Sequence, residues 1–223
     1  MEQRVLEQTL AQVRACLENN DLAGAITLIE ALRPPDQADV FEELHPTLQQ
    51  ALLPRLGIED AADILEELED EDAAQLASHL ELKTLAPILD EMATDEAADL
   101  LGDLPPERAA GALARMADAG SVQALLVFPD NSAGGLMTTE FLALRRDMTA
   151  AEALAIVREW APETEAGYYL FVVDQYGRLC GVVSLLDLIK APPTARLGEV
   201  MDPDVIYIRA DADQEECARL MAR

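Results

Sequence analysis

Asp60-Ala61-Ala62-Asp63-Ile64-Leu65-Glu66-Glu67-Leu68 and, twelve residues on, Asp72-Ala73-Ala74-Gln75-Leu76-Ala77-Ser78-His79-Leu80 are two copies of one nine-residue unit. Steps of twelve from Asp36 give five more, the last being Arg108–Met116. The fifth place reads Val40, Leu52, Ile64, Leu76, Ile88, Leu100 and Ala112, and the sixth Phe41, Leu53, Leu65, Ala77, Leu89, Leu101 and Leu113. The ninth is always Leu or Met, and the third is Ala except for Gln50. Apolar residues so spaced form one stripe of a short helix. The pattern predicts nine-residue helices with three-residue connectors such as His45-Pro46-Thr47 and Pro105-Pro106-Glu107, and Asp36, Asp60 and Asp72 as N-caps. Helices this short are marginal alone, so each must bury its stripe on its neighbours. A fixed period with a buried stripe describes an α-solenoid. The register runs outward to Gly24–Leu32 and Gly120–Phe128.

The same stretch is acidic. Residues 36–107 carry 21 Asp or Glu against Arg55 and Lys83, and the whole chain has a net charge of −27. Half the residues are apolar, so the chain folds despite that charge. Nucleic acid and anionic membrane surfaces are excluded as partners, because both need Lys and Arg against phosphate. Cations or basic partners fit. Cys16, Cys180 and Cys217 are odd in number and far apart, which suits a reducing compartment. No zinc spacing surrounds His45 or His79. The opening Met1-Glu2-Gln3-Arg4 is not a signal peptide. No apolar run approaches the ~20 residues that span a bilayer. A cytoplasmic chain is expected. No nucleophile–base pair or Gly-rich phosphate loop is present, so no enzyme is expected.

Residues 1–20 read as a helix before the repeats. Pro129 to Gly135 changes the composition to turn formers. Beyond it the pattern predicts a strand at Phe141–Leu144, a helix from Met148 to Trp160 and a buried strand at Tyr168–Val173. A turn at Asp174–Gly177, a return strand at Leu179–Val183 and a helix capped by Ser184 follow. A second repeat has an offset of 64. Leu136-Met137-Thr138 matches Val200-Met201-Asp202, Phe141–Arg145 matches Val205–Arg209, and Asp147 matches Asp211. The second copy stops at Arg223 with Cys217, Leu220 and Met221 uncovered, so a fragment of a longer protein is expected.

This tandem β-α-β-β-α unit, with Gly181-Val182-Val183-Ser184-Leu185-Leu186-Asp187 after its hairpin, resembles a CBS domain pair. The segments Phe128-Pro129-Asp130-Asn131-Ser132-Ala133-Gly134-Gly135-Leu136-Met137-Thr138, Tyr169–Asp174, Met201–Val205 and Asp211–Glu216 resemble the cytosolic part of MgtE-type magnesium transporters. The resemblance implies an α + α/β chain. A right-handed α-solenoid, about 12 residues per helix unit, occupies 1–130, a CBS domain 131–195, and the start of a truncated second CBS domain 196–223. It further implies homodimers formed through the CBS domains, and a transmembrane pore, not present in this chain, that closes when Mg²⁺ binds between the cytosolic domains. The residues matching the family's magnesium positions are Asp63, Asp95, Asp99 and Glu215, with partner carboxylates beyond Arg223.

The spacing agrees with a hard divalent cation, since Asp63 with Glu67, Asp95 with Asp99, and Asp99 with Asp103 lie i, i+4 on one helix face. The alternative is an ordinary solvated acidic face. The family's adenine-nucleotide positions, for ATP or a relative, fall on Tyr169, Ser184, Asp187 and Ile206. Leu186 and Asp204 stand where that family often has cations. Without a ligand role, Tyr169 reads as core and Asp187 as a first-turn acid. A third reading is an acidic interaction scaffold, because such short helices also resemble the middle region of the flagellar motor-switch protein FliG.

Overall fold

The computed structural model describes residues 2–129, 131–160 and 169–222. α1 (Glu2–Glu18) leads into α2 (Leu22–Glu30), α3 (Pro34–Glu42), α4 (Pro46–Leu52), α5 (Ile58–Glu67), α6 (Asp70–His79), α7 (Leu82–Glu91), α8 (Thr94–Asp103), α9 (Pro106–Leu113) and α10 (Ala119–Leu125). Each sequence unit from Gly24 to Phe128 therefore contributes one helix. α4 gives way to a 3₁₀ turn at Leu53–Arg55, where Pro54 lacks the N–H that would continue it.

Helices pack on the next but one. α3 lies against α5, α5 against α7 and α7 against α9, while α4, α6, α8 and α10 form a second row. The fifth and sixth places from Val40 to Leu101 are all buried in the seam. Arg108, in the first turn of α9, donates to the carbonyls of Ala77 and Leu80 and so closes the C-terminal end of α6.

The unit boundaries differ from the sequence pattern. Asp36, Asp60 and Asp72 are not N-caps. The caps are Arg33, Gly57 and Glu69, in extended backbone and without side-chain cap bonds, and each Asp is the third helical residue. There a carboxylate faces the positive end of the helix dipole, and Asp60 also accepts a hydrogen bond from Gln37 Nε2 at 2.8 Å. From α5 onward the full helices have ten residues and two-residue connectors. The ninth-place Leu68, Leu80, Met92 and Leu104 end their helices in extended backbone and are buried, so the chain turns by inserting one side chain into the core.

Beyond the superhelix come β1 (Ala143–Arg145), α11 (Ala150–Trp160), β2 (Tyr169–Val173), β3 (Leu179–Ser184), α12 (Leu185–Lys190), α13 (Leu197–Val200) and α14 (Gln214–Met221). The sheet order is β1-β2-β3, with β1 parallel and β3 antiparallel to β2. Leu144, Leu170, Val172 and Val183 pack inward against Ala150, Ala153, Leu188 and Leu197. Asp174 Oδ1 accepts from the backbone N–H of Tyr176 and Arg178, and Gly177 takes φ +76° to close the hairpin. The strand expected from Tyr168 starts at Tyr169, Tyr168 itself lying outside the described residues. The expected helix start at Met148 moves to Ala150, because Thr149 caps it through Glu152 N–H and the Met148 carbonyl accepts from Leu197 N–H.

The offset of 64 is visible in hydrogen bonds. Leu197 N–H donates to Met148 O, as Ala133 N–H does to Ala212 O. Gly198 N–H to Arg146 O is repeated by Gly134 N–H to Ala210 O, and Ala150 N–H to Ala195 O by Gln214 N–H to Asn131 O. Each copy's leading segment thus docks on the other copy's turn before its helix. The match of Val205–Arg209 to Phe141–Arg145 implies a second strand there, and it does not form. Its counterpart β1 is a strand by pairing with β2, and no described residue pairs with 205–208. Among the described residues no helix is long and apolar enough to cross a membrane.

Candidate functional site

α5 and α8 bring their acidic faces together where the superhelix meets the segment leading into β1. Glu66, on α5, accepts a hydrogen bond from Ala93 N–H, the cap of α8, at 2.6 Å. One residue further, Thr94 N–H donates to Glu140 Oε1 at 3.0 Å. The Thr94 hydroxyl lies 3.3 Å from that of Thr138, and accepts from the N–H and hydroxyl of Thr139. The start of α8 is therefore held from one side by α5 and from the other by residues 138–140.

Asp63, Asp95 and Glu140 surround Glu66, and all raise its pKa. Burial is the larger cause and outweighs the hydrogen bond from Ala93, which acts the other way. Glu96 is raised as well, first by burial of its carboxyl and then by Asp95, Glu66, Asp99 and Asp70, although the residue as a whole keeps solvent contact. A small cavity of about 20 Å³ is lined by Asp70, Glu96, Asp99 and Asp103, with Leu65, Leu68, Ala73, Met92 and Leu100 as its apolar wall. That is room for one water-sized particle. Among the described residues no three His, Cys, Asp or Glu converge closely enough to hold a bare metal ion.

The structure gathers Asp63, Asp95 and Asp99 around Glu66 and Glu96. Glu215 is apart from them, exposed in the first turn of α14, where its N–H donates to Asp213. Glu66, Glu96, Glu140 and Thr94 were missed by sequence reasoning. Glu66 lies three residues after Asp63 and Glu96 three before Asp99, so helical spacing could have found both. Glu140 and Thr94 meet only through tertiary packing.

The raised carboxyls have a consequence for pH. A carboxyl whose folded pKa lies above its unfolded value holds more protons in the folded state, so stability falls as pH rises between the two values. With divalent ions removed, stability is expected to decline as pH rises above the ordinary carboxyl range, through the raised pKa values of Glu66 and Glu96. Replacing Glu66 and Glu96 together by Gln should flatten that slope in urea melts. A wild-type profile flat over this range would contradict the repulsion described here.

At the other end of the sheet from the hairpin turn, Tyr169 pairs with Ser184 across β2 and β3. Ser184 caps α12, accepting from Asp187 N–H at 3.0 Å and donating its hydroxyl to Asp187 Oδ2 at 2.6 Å. Tyr169 is 65% exposed, so it is not core, and Ile206 is 73% exposed. Asp202 bridges to Val182, which runs the segment leading to Ile206 alongside β3. The four residues expected around a nucleotide thus include two exposed apolar side chains and a linked hydroxyl–carboxylate pair.

The family description "MgtE intracellular N domain" matches residues 32–131, and "CBS domain" matches 133–193. The magnesium transporter MgtE of Thermus thermophilus is 54% identical over 101 residues, 45% of this chain and 22% of that protein. The Enterococcus faecalis transporter of the same name is 36% identical over an equal span. The matched part of the chain thus spans about a fifth of the length of these curated relatives. The crystal structure of the cytosolic domain of the Mg²⁺ channel MgtE in complex with ATP superposes with a TM-score of 0.87 at 36% identity, covering 96% of this chain and 88% of that one. The soluble part of a magnesium transporter gives 0.83 at 29% identity, covering 97% and 86%. With its helical superhelix followed by a CBS unit, the chain belongs to the MgtE family and corresponds to that family's cytosolic domain.

Proposed function

We propose that this chain is the Mg²⁺-sensing part of a magnesium transporter or channel, and that the α5–α8 acidic face is where the ion acts. The supporting observation is the field around Glu66 and Glu96. Every neighbouring charge that moves their pKa is negative, and none is a cation. The donors are all carboxylate oxygens, as a hard ion requires, and they are too dispersed to enclose it. That fits Mg²⁺, which commonly keeps several waters and touches one or two carboxylates. Asp63, Asp95 and Asp99 are its binding residues on this face. Glu215 serves a separate contact on α14. The parent protein is a homodimer in the cell membrane. This region lies on the cytoplasmic side and controls its own transmembrane domain.

Bound Mg²⁺ relieves repulsion between α5, α8 and Glu140, and so shifts the population toward the arrangement in which Thr94 meets residues 138–140. Limited proteolysis tests this. Cleavage between residues 129 and 142 should slow when Mg²⁺ replaces chelator at matched ionic strength. Equal cleavage rates in both buffers would count against the proposal.

A second reading is supported by the ATP-bound relative and by the exposure of Tyr169. Tyr169, Ser184, Asp187 and Ile206 form an adenine-nucleotide cleft, Asp187 being the acceptor for a ribose hydroxyl. Calorimetric titration with ATP should give a saturable heat that Asp187→Asn removes. A heat that Asp187→Asn leaves untouched would place the nucleotide elsewhere.

A further inference from the structure

The hairpin end of the first CBS unit, opposite the nucleotide cleft, holds an open cavity of about 520 Å³ lined by Arg145, Arg146, Arg196, Asp147, Asp174 and Tyr176, among others. Three arginines together are unexpected in a chain with 16 basic and 43 acidic residues. The internal repeat separates what is structural there from what is not. Arg145 grips Asp147 through two bonds of 3.0 Å, and Arg209 grips Asp211 in the same way at 2.9 and 3.2 Å. That bridge occurs in both copies and belongs to the turn.

Arg146 and Arg196 do not recur, their places in the other copy being Ala210 and Ser132. In that copy the ring of Phe128 lies against Gly134, the counterpart of Gly198, where a Cβ would meet both the ring and the Ala210 carbonyl. In this copy the stem of Arg146 crosses Gly198, and its guanidinium has no hydrogen bond or ion pair among the described residues. Arg196 spends one N–H on the Asp147 carbonyl and has others to offer. The acids of the cavity are engaged: Asp147 by Arg145, Asp174 by two hairpin N–H groups, and Glu199 by Arg196 N–H. Among the described residues they give the Arg146 guanidinium no hydrogen bond, and the side chain of Arg196, which faces Asp147 and Glu152, donates only to the Asp147 carbonyl.

From this we infer that the cavity between residues 145–147, 174–176 and 196–199 is a binding site for a small phosphate-bearing anion, held by Arg146 and Arg196. Guanidinium forks suit the paired oxygens of a phosphoryl group. A free solute is the occupant, since a chain of net charge −27 is repelled by an anionic membrane surface.

The test is titration of the whole chain with inorganic pyrophosphate in divalent-free buffer, followed by amide NMR at constant ionic strength. Amides of Arg146, Tyr176 and Gly198 should shift saturably. Arg146→Ala and Arg196→Ala should each weaken binding about tenfold, the loss of one charge-assisted contact, while Asp187→Asn leaves it unchanged. The inference is overturned by shifts that grow linearly into the millimolar range. It is equally overturned if Asp187→Asn abolishes the response, or if neither arginine variant alters it. None of these outcomes bears on Mg²⁺ at α5 and α8.

Discussion

Replacing Phe41 with alanine is expected to lower the unfolding free energy by about 3–5 kcal/mol, the range for emptying a fully buried aromatic site. Phe41 is 0% exposed and stands at the sixth place of α3, in the seam with α5. A stacked array has no distant part of the core to refill the hole, because each helix touches only near neighbours. The loss therefore falls on one interface and should unravel the helices before it first. Urea melts followed by circular dichroism, with hydrogen exchange to locate the loss, would measure it. Val127→Ala, at a site 75% exposed, is the control and should stay within about 0.5 kcal/mol of wild type. A Phe41→Ala protein as stable as that control would mean that the seam is not what holds the superhelix together.

Asp95→Asn combined with Asp99→Asn should have the largest effect on ligand response, and in two opposite directions. Both carboxylates raise the pKa of Glu96, and Asp95 also raises that of Glu66. Removing them lessens like-charge repulsion, so the metal-free protein should become more stable. The same change takes away two negative charges and leaves one amide oxygen in place of each carboxylate, so the Mg²⁺ midpoint for protection from proteolysis should rise by about tenfold or more, as the loss of a contact to a charged group implies. A merely structural role for the two residues would lower stability and leave the midpoint alone. Protease protection and urea melts on the same samples separate the two.

The periodic part of this fold was legible because one residue type recurs where one packing need recurs. Leu, Ile or Val at the fifth place is buried from α3 to α8 without exception. The ends of the units were misread for a related reason. Leu68 and Met92 look like the last apolar residues of helices, but a side chain inserted from an extended connector satisfies the same core. First-turn acids look like caps when read in sequence, and only the extended backbone at Gly57 or Glu69 shows otherwise. Val205–Ile208 carries a strand pattern with no strand, because pairing, unlike propensity, requires a neighbour.

Part of the candidate site is readable in the sequence: the resemblance singles out Asp63, Asp95 and Asp99, helical spacing pairs Asp95 with Asp99, and the fold sets these acids beside Glu66 and Glu96. The contacts that hold the start of α8, Glu66 to Ala93 and Glu140 to Thr94, join residues 27 and 46 positions apart. No local pattern marks such a pair. Arg146 is invisible in the sequence for another reason: that no described residue pairs with its guanidinium is a property of the tertiary fold, not of any local pattern.

Small-angle X-ray scattering of the whole chain, in chelator and then with Mg²⁺ at the same ionic strength, tests the central claim most directly. The radius of gyration should fall as the ion is added, and Asp95→Asn with Asp99→Asn should suppress the fall. Superimposable curves in both buffers, from a protein that calorimetry shows has taken up the ion, would contradict it.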